Sequence, residues 1–330
     1  MDFFTHLLVG IVLGRIFFKD PNKQKVMAFG SILPDLDVFL AWVPFFIPNL
    51  YIFSHRGLFH SLITLLFFFP LIVFILNKLL QFNKFQMARG TLSLQITLSS
   101  YIIGIIGCYL HLFMDLLNPQ GVVLFSPLSE QRFTLSTMNF IEPFVSIPAT
   151  LVLVFFSFKR YYKKQTISIN RFDLLSRSIT VIFVIFILLN SFLIVQTVRT
   201  QKTDITSPGW ILINRWVVVD QNDTFTVKLV NQLTQGTERT FTFNKISFNS
   251  SEITNQKAEQ LITKAKESIQ YKKFHFSLDP NTRLLIKVES KTDGNWNINF
   301  ADVIGKAQQM YYNFPDNSFF QDTVRITVAS

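Results

Sequence analysis

HRGLFHSLITLLFFFPLIVFILNKLL, residues 55–80, sets two histidines and an arginine directly ahead of an apolar run. From Leu62 to Leu76 no residue is charged, and Leu, Ile, Val and Phe dominate. A helix needs about 20 apolar residues to cross the hydrocarbon core of a bilayer, so Leu58–Leu80 reads as a membrane span. Polar groups at such a position are expensive unless they face a protein interior, where they pair or perform chemistry. This stretch therefore predicts a membrane helix and a polar site beside it.

The rest of the first two thirds of the chain follows the same pattern. The 330 residues are 49% hydrophobic, with 38 Phe and a mean hydropathy of +0.33. That balance is too apolar for an ordinary soluble domain. Further candidate spans are Phe3–Phe18, Met27–Pro48, Leu92–Leu117, Phe140–Phe158 and Ile179–Val198, which gives about six. Beyond Val198 the chain turns polar and rich in Asn, Thr and Lys. The expected architecture is a membrane α-helical bundle over 1–198 followed by a soluble α+β domain over 199–330. MDFFTHLLVG at the N-terminus has an acid where a signal peptide has a basic region, and reads as the first span.

The net charge is +10. Residues 1–198 hold 15 Lys and Arg against 8 Asp and Glu, and residues 199–330 hold 16 against 13. The first, third and fifth loops carry clusters of Lys and Arg, whereas the second and fourth carry only Arg56 and Arg132. The positive-inside rule makes the odd loops cytoplasmic. Six spans then put both termini, and with them the C-terminal domain, outside the cytoplasm. Basic residues confined to short loops also argue against a nucleic-acid partner. The single cysteine, Cys108, excludes an intrachain disulfide and a cysteine-based zinc knuckle. No feature sets an oligomeric state.

Within the C-terminal part, WILINRWVVVD (210–220), TFTVKLV (224–230), TRLLIKVES (282–290) and TVRITV (323–328) read as strands, the first two joined at Gln221–Asp223. NQKAEQLITKAKESI (255–269) has helical spacing, with Ala258, Leu261, Ile262, Ala265 and Ile269 on one face. His275, alternating with Phe274 and Phe276, reads as a strand-surface residue.

Four of the five histidines, His6, His55, His60 and His111, fall in the membrane part, together with Asp35, Asp37 and Asp115. Imidazoles and carboxylates form the donor set of a divalent-metal site. His111 and Asp115 are four apart and share a helix face, so they can bind one ion or simply pair with each other. His55 and His60 are five apart and would diverge by about 140° on a regular helix. His55 is therefore expected in the loop ahead of the helix and His60 in its first turn. Asp35 and Asp37 follow Pro34, which disfavours helical geometry at Leu33 and removes an amide donor. A break at GSILPDLD would turn both carboxylates inward; otherwise one is a ligand and the other orients a histidine. Gly10 and Gly14, and Gly104 and Gly107, offer small faces for close helix packing.

TH at 5–6 with Gly10, GSILPDLD at 30–37, HRGLFHS at 55–61, HLFMD at 111–115 and NPQGVVLFSP at 118–127 together resemble the YdjM-type family of membrane-bound proteins, to which metal-dependent hydrolysis is assigned by inference. Phe59 stands where the family motif usually has a small or hydroxyl residue. The resemblance covers about residues 1–130 and implies an integral protein of a prokaryotic cytoplasmic membrane.

Hydrolysis by one or two divalent ions, with zinc the leading candidate, is the expected activity. His6, His55, His60, His111, Asp35 and Asp115 are the candidate ligands. Asp37 is the candidate base or orienting group. Arg56 either binds a substrate phosphate or carboxylate or anchors the chain at the interface. A site at the membrane face points to a lipid or lipid-linked ester, with a phosphoester slightly favoured. Two other classes remain open: a transporter or ion-binding protein using the buried His/Asp cluster, and a structural or receptor protein with a stabilising metal.

Overall fold

The computed structural model describes residues 2–81, 93–139, 143–161, 169–203, 205–209, 213–248, 253–280, 282–291, 295–312 and 323–329. The chain divides into two compact units, Met1–Phe45 with Ile52–Asn190, and Phe46–Tyr51 with Ser191–Ser330.

In the first unit, helices α1 (Phe3–Phe17), α2 (Pro21–Gly30), α4 (Leu62–Leu79) and α5 (Leu98–Leu116) pack together. Each start has a local cause. Asp2 caps α1 through Thr5 N, Asp20 caps α2 through Asn22 N with Pro21 in its first turn, Ser61 caps α4 through Ile63 N, and Thr97 and Ser100 form a capping box on α5. At one end, Asn22 exchanges two hydrogen bonds of 2.9 Å with the backbone of Gln95. There too, Asn77 holds Leu94 by bonds of 2.7 and 3.1 Å. Val26, Leu33, Leu65, Phe69, Val73, Ile105, Cys108 and Leu112 fill the space between these helices.

Glycines let the backbones approach. A Cβ on Gly107 of α5 would lie 2.6 Å from the carbonyl oxygen of Met27 on α2, and Gly30 faces the backbone of Gly104 in the same way. Gly10 and Gly14 of α1 serve α2 likewise, against Ser31 and Gln24. The small faces expected from the sequence are thus contact faces.

Two long connections close the opposite end of these helices. The first, 31–61, contains the 3₁₀ segment Pro34–Leu40, the single turn α3 (Val43–Phe46) and the 3₁₀ turns Pro48–Phe53 and Leu58–His60. The second, 117–138, is pinned by Ser61 Oγ donating to the Ser126 carbonyl at 2.6 Å and by a bridge between Val122 and Phe133. Helix α6 (Pro143–Tyr161) and the part of α7 (Ile169–Gln201) up to Asn190 complete the unit, with Leu8, Ala149, Val152 and Ile179 in one cluster.

The span count needs correcting. The described residues hold three helices long and apolar enough to cross a bilayer, Leu62–Leu79, Leu98–Leu116 and Leu174–Gln201, or four if the pair Pro21–Gly30 and Pro34–Phe46, bent by 49°, counts as one. Six is not supported. Helix α1 has 15 residues, about 22 Å at 1.5 Å per residue, short of the roughly 30 Å core. The second predicted span is broken within GSILPDLD as expected, but ahead of Pro34: α2 ends at Gly30, and Leu33, before the proline, keeps helical φ/ψ. The fifth predicted span starts at Phe140, outside the described residues, and its described apolar helix, Val145–Phe155, is short. Without six spans, loop parity no longer fixes the side of the C-terminal part. Lys84, Arg89, Lys163 and Lys164, on which the loop charges partly rested, also lie outside the described residues.

The second unit is α+β. Strands β1 (Ile205–Pro208), β2 (Asn214–Asp220), β3 (Thr224–Asn231) and β4 (Thr237–Asn244) form an antiparallel sheet in that order. Gln221 and Thr224 exchange backbone bonds of 3.0 and 3.2 Å at the expected turn. Residues 210–212 of the predicted first strand lie outside the described residues. Strands β5 (Ile246–Phe248), β6 (Leu284–Ser290), β7 (Trp296–Asp302) and β8 (Thr323–Val328) form a second sheet, parallel only between β5 and β6. Helix α8 (Asn255–Lys266) buries Ala258, Leu261, Ile262 and Ala265, with Leu261, Ile262 and Ala265 in the second sheet's core. Helix α10 (Val303–Tyr312) covers the first sheet, with Val303, Ile304 and Ala307 beside Trp216. His275 lies not on a strand but in helix α9 (Ile269–Ser277). Ser268 accepts from Tyr271 N and starts a new helix, which overrides the Phe-His-Phe alternation.

Candidate metal centre

The two long connections and the adjoining helix ends bring the polar residues together. His111 and Asp115 sit one turn apart near the end of α5, with His111 Nε2 3.5 Å from Asp115 Oδ2. His60 arrives in the 3₁₀ turn just ahead of α4, not in the first turn of that helix, because Ser61 takes the capping position. Asp35 and Asp37 lie in the 3₁₀ segment, whose tighter winding lets residues two apart both turn inward.

Asp35, His60, His111 and Asp115 each offer one donor atom, and all four atoms lie within 4.8 Å of one another. His60 Nε2 is 3.2 Å from His111 Nε2, 3.6 Å from Asp35 Oδ1 and 3.5 Å from Asp115 Oδ2. His111 Nε2 is 3.4 Å from Asp35 Oδ1. Tetrahedral bonds of about 2.0–2.2 Å to nitrogen and oxygen imply donor-to-donor edges of about 3.3–3.6 Å. The five edges that involve an imidazole, 3.2–3.6 Å, lie near that spacing, and the sixth, between the two carboxylates, is within 4.8 Å.

Hydrogen bonding fixes the inward nitrogen of His111: its Nδ1 donates to the Ser31 carbonyl at 2.8 Å, since a carbonyl only accepts. His60 Nδ1 lies 2.9 Å from Asp37 Oδ2 without the alignment of a hydrogen bond. The two Nε2 atoms face each other at 3.2 Å, and with Nδ1–H on both rings each would present a lone pair there. Two lone pairs at that distance repel unless a cation lies between them. Charge counting agrees. The three aspartates bring three negative charges to the set, Arg56 and Arg132 offset two of them, and the remaining negative charge favours a bound cation.

Asp37 is the hub behind this group. It accepts from His55 Nδ1 at 2.7 Å and from Arg56 N at 3.0 Å, besides its contact with His60. Asp37, His55 and His60 also form a compact donor group. The two histidines approach different oxygens of Asp37, His55 Nδ1 at 2.7 Å from Oδ1 and His60 Nδ1 at 2.9 Å from Oδ2. His55 is thus set on Asp37 rather than among the four donors, and its side chain is 34% exposed.

Arg56 is 1% exposed, and its Nη2 donates to Asp115 Oδ1 at 3.1 Å. Its φ of +64° is costly for a non-glycine residue, about 1–3 kcal/mol. Two contacts sustain it: its amide on Asp37 and its carbonyl, which accepts from Arg132 Nη2 at 3.2 Å. His6 is fully buried one layer behind, stacked on His111 with ring centroids 3.7 Å apart. Its Nε2 lies 3.3 Å from Asp115 Oδ1, and neither ring nitrogen makes a hydrogen bond among the described residues.

Of the residues singled out in the sequence, Asp35, His60, His111 and Asp115 form the four-donor group, while His6, His55, Asp37 and Arg56 surround it. Ser31 and Arg132 were not anticipated as parts of the site. Ser31 contributes a backbone carbonyl, which has no sequence signature. Arg132 lies 76 residues from its partner in the chain.

Helices of membrane-spanning length, capped at one end by a buried His/Asp cluster able to hold a metal ion, define an integral membrane protein with a candidate metal centre. Residues 1–202 match the family described as YdjM inner membrane protein, and the chain belongs to that family. It is also 30% identical over 159 residues to a Bacillus subtilis (strain 168) protein described as "Uncharacterized protein YfhP". That match covers 44% of this chain and 43% of the relative, so the chain spans less than half the relative's length. No solved structure matches the chain.

Proposed function

We propose that the protein is a metal-dependent membrane hydrolase, acting on a lipid or lipid-linked phosphoester, with zinc the best-fitting ion. The single observation that carries this reading is the close spacing of one donor atom each from Asp35, His60, His111 and Asp115, with the Nε2 atoms of both imidazoles turned inward. A divalent ion bound there would act as a Lewis acid and bring the pKa of a water to about 7.

The chain's own residues do the rest. Asp37 orients His60 and His55. Arg56 holds Asp115 Oδ1, so that Oδ2 stays turned toward the other donors. This makes Arg56 a positioning residue first, and its charge also favours anionic substrates in the same pocket. Asp35, at 13% exposure, is the only one of the four donors with access to the outside, and is the corner at which substrate would approach.

One observation favours a second reading, a purely structural ion: four protein donors close a tetrahedron, whereas catalytic zinc keeps a position open. Collection of the donors at one end of the helices argues against a transport path, which would distribute them through the depth of the membrane.

The test is metal analysis of detergent-purified protein. Wild type is expected to carry about one divalent ion per chain, and His60→Ala and His111→Ala to lose it. Equal metal in all three would remove the site. Turnover of phospholipid or generic phosphoesters by the loaded protein supports the enzyme; full occupancy without turnover supports the structural ion.

A further inference from the structure

The connection that carries Asp35 and Asp37 has a second face. From Val38 to Ser54 it contains no charged residue. Its two aspartates turn inward, and large apolar side chains turn outward. Phe39 is 72% exposed, Trp42 58% and Phe45 78%, with Val38 also exposed. The second connection at the same end of the helices repeats the pattern, with Leu128 at 82% and Phe125 and Leu135 exposed.

Two physical limits bracket where such a surface can sit. Bulk water disfavours it, because contiguous exposed Phe and Trp mark an interaction site. The hydrocarbon core disfavours it as well. Irregular, lipid-exposed backbone is not tolerated there, since its polar groups must be satisfied within the segment. This segment is a 3₁₀ helix and a single helical turn, bent by 49° from α2. The headgroup region accommodates both apolar side chains and a partly hydrated backbone, and it is where Trp concentrates.

We infer that Val38–Phe45 is a lipid-docking surface at the headgroup boundary of the bilayer, re-entrant rather than spanning. The partner is the glycerophospholipid leaflet itself. Helices of the same unit are long and apolar enough to cross a bilayer, so this surface adjoins helices whose apolar faces would meet lipid. Resting on the hydrolase reading above, this names the substrate's route: an ester at headgroup depth meets Asp35 from the lipid side.

Trp42 supplies the probe. The full-length protein is reconstituted into phosphatidylcholine vesicles with bromine placed either near the headgroup end of the acyl chain or near its terminus. The difference in emission between wild type and Trp42→Phe isolates Trp42 from the other tryptophans. The expected result is loss of most of the Trp42 emission with headgroup-proximal bromine, and little with terminal bromine or aqueous acrylamide. Stronger quenching by terminal bromine would mean a true span, and quenching by acrylamide alone a water-facing segment. Either overturns the inference. Phe45→Trp in the Trp42→Phe background gives an independent reporter. Metal content of the same samples tests the donor cluster separately, so the two readings fail in distinguishable ways.

Discussion

Asp35 and Asp37 are two residues apart and chemically identical, yet the structure separates their surroundings. Asp35 faces two imidazole Nε2 atoms at 3.4 and 3.6 Å, a spacing that leaves room for a cation between donors. Asp37 faces two ring nitrogens and a backbone amide at 2.7–3.0 Å, a spacing that leaves none. Asp37→Asn keeps an acceptor but removes the charge beside His60 Nδ1. Metal affinity should fall about 10–100-fold, the range for residues that orient a ligand. A competition titration against a chelator measures this, and unchanged affinity would show that Asp37 does not position His60. The sequence made both aspartates candidates and left their division of labour open, because the division depends on which groups loop back from 18 and more residues away.

At the scale of elements, the site depends on how closely α2 approaches α5. The His111 bond to Ser31 O crosses this contact, and Gly107 and Gly30 line it. Gly107→Leu would drive a side chain against the Met27 carbonyl and pry the helices apart. The expected cost is about 1–3 kcal/mol, as for other overpacked cores, with metal lost alongside. Ile106→Leu, at an exposed position on the same helix, should change stability by less than about 0.5 kcal/mol. Thermal unfolding in detergent with parallel metal analysis compares the two. Equal behaviour would remove the argument for close packing. The glycine pairs were legible as small faces, but not which helix each face would meet. The broken span within GSILPDLD was legible too. The shortness of the first candidate, Phe3–Phe18, was legible as well; the helix around His275 was not, because pattern alone does not measure the effect of a cap at Ser268.

At the scale of the molecule, four donors from three separate stretches of chain meet only when the first unit is folded, so ion binding and folding are coupled. Removing metal with a chelator should lower the thermal midpoint of the full-length protein in detergent, and stoichiometric zinc should restore it. At a free ion concentration 100 times the Kd the stabilisation is about 2.7 kcal/mol. Hydrogen exchange should confine the effect to the first unit. A uniform change across both units, or no shift at all, would count against a bound ion. The sequence by itself determined the membrane character, the α+β make-up of the C-terminal part and the pool of polar side chains, because length, hydropathy and residue chemistry are local properties. Only the tertiary structure decided which four donors converge, which nitrogen of His111 faces them and which apolar side chains remain outside. Those are set by distances between residues far apart in the chain, and by the bend that lets one short segment turn carboxylates inward and aromatics outward.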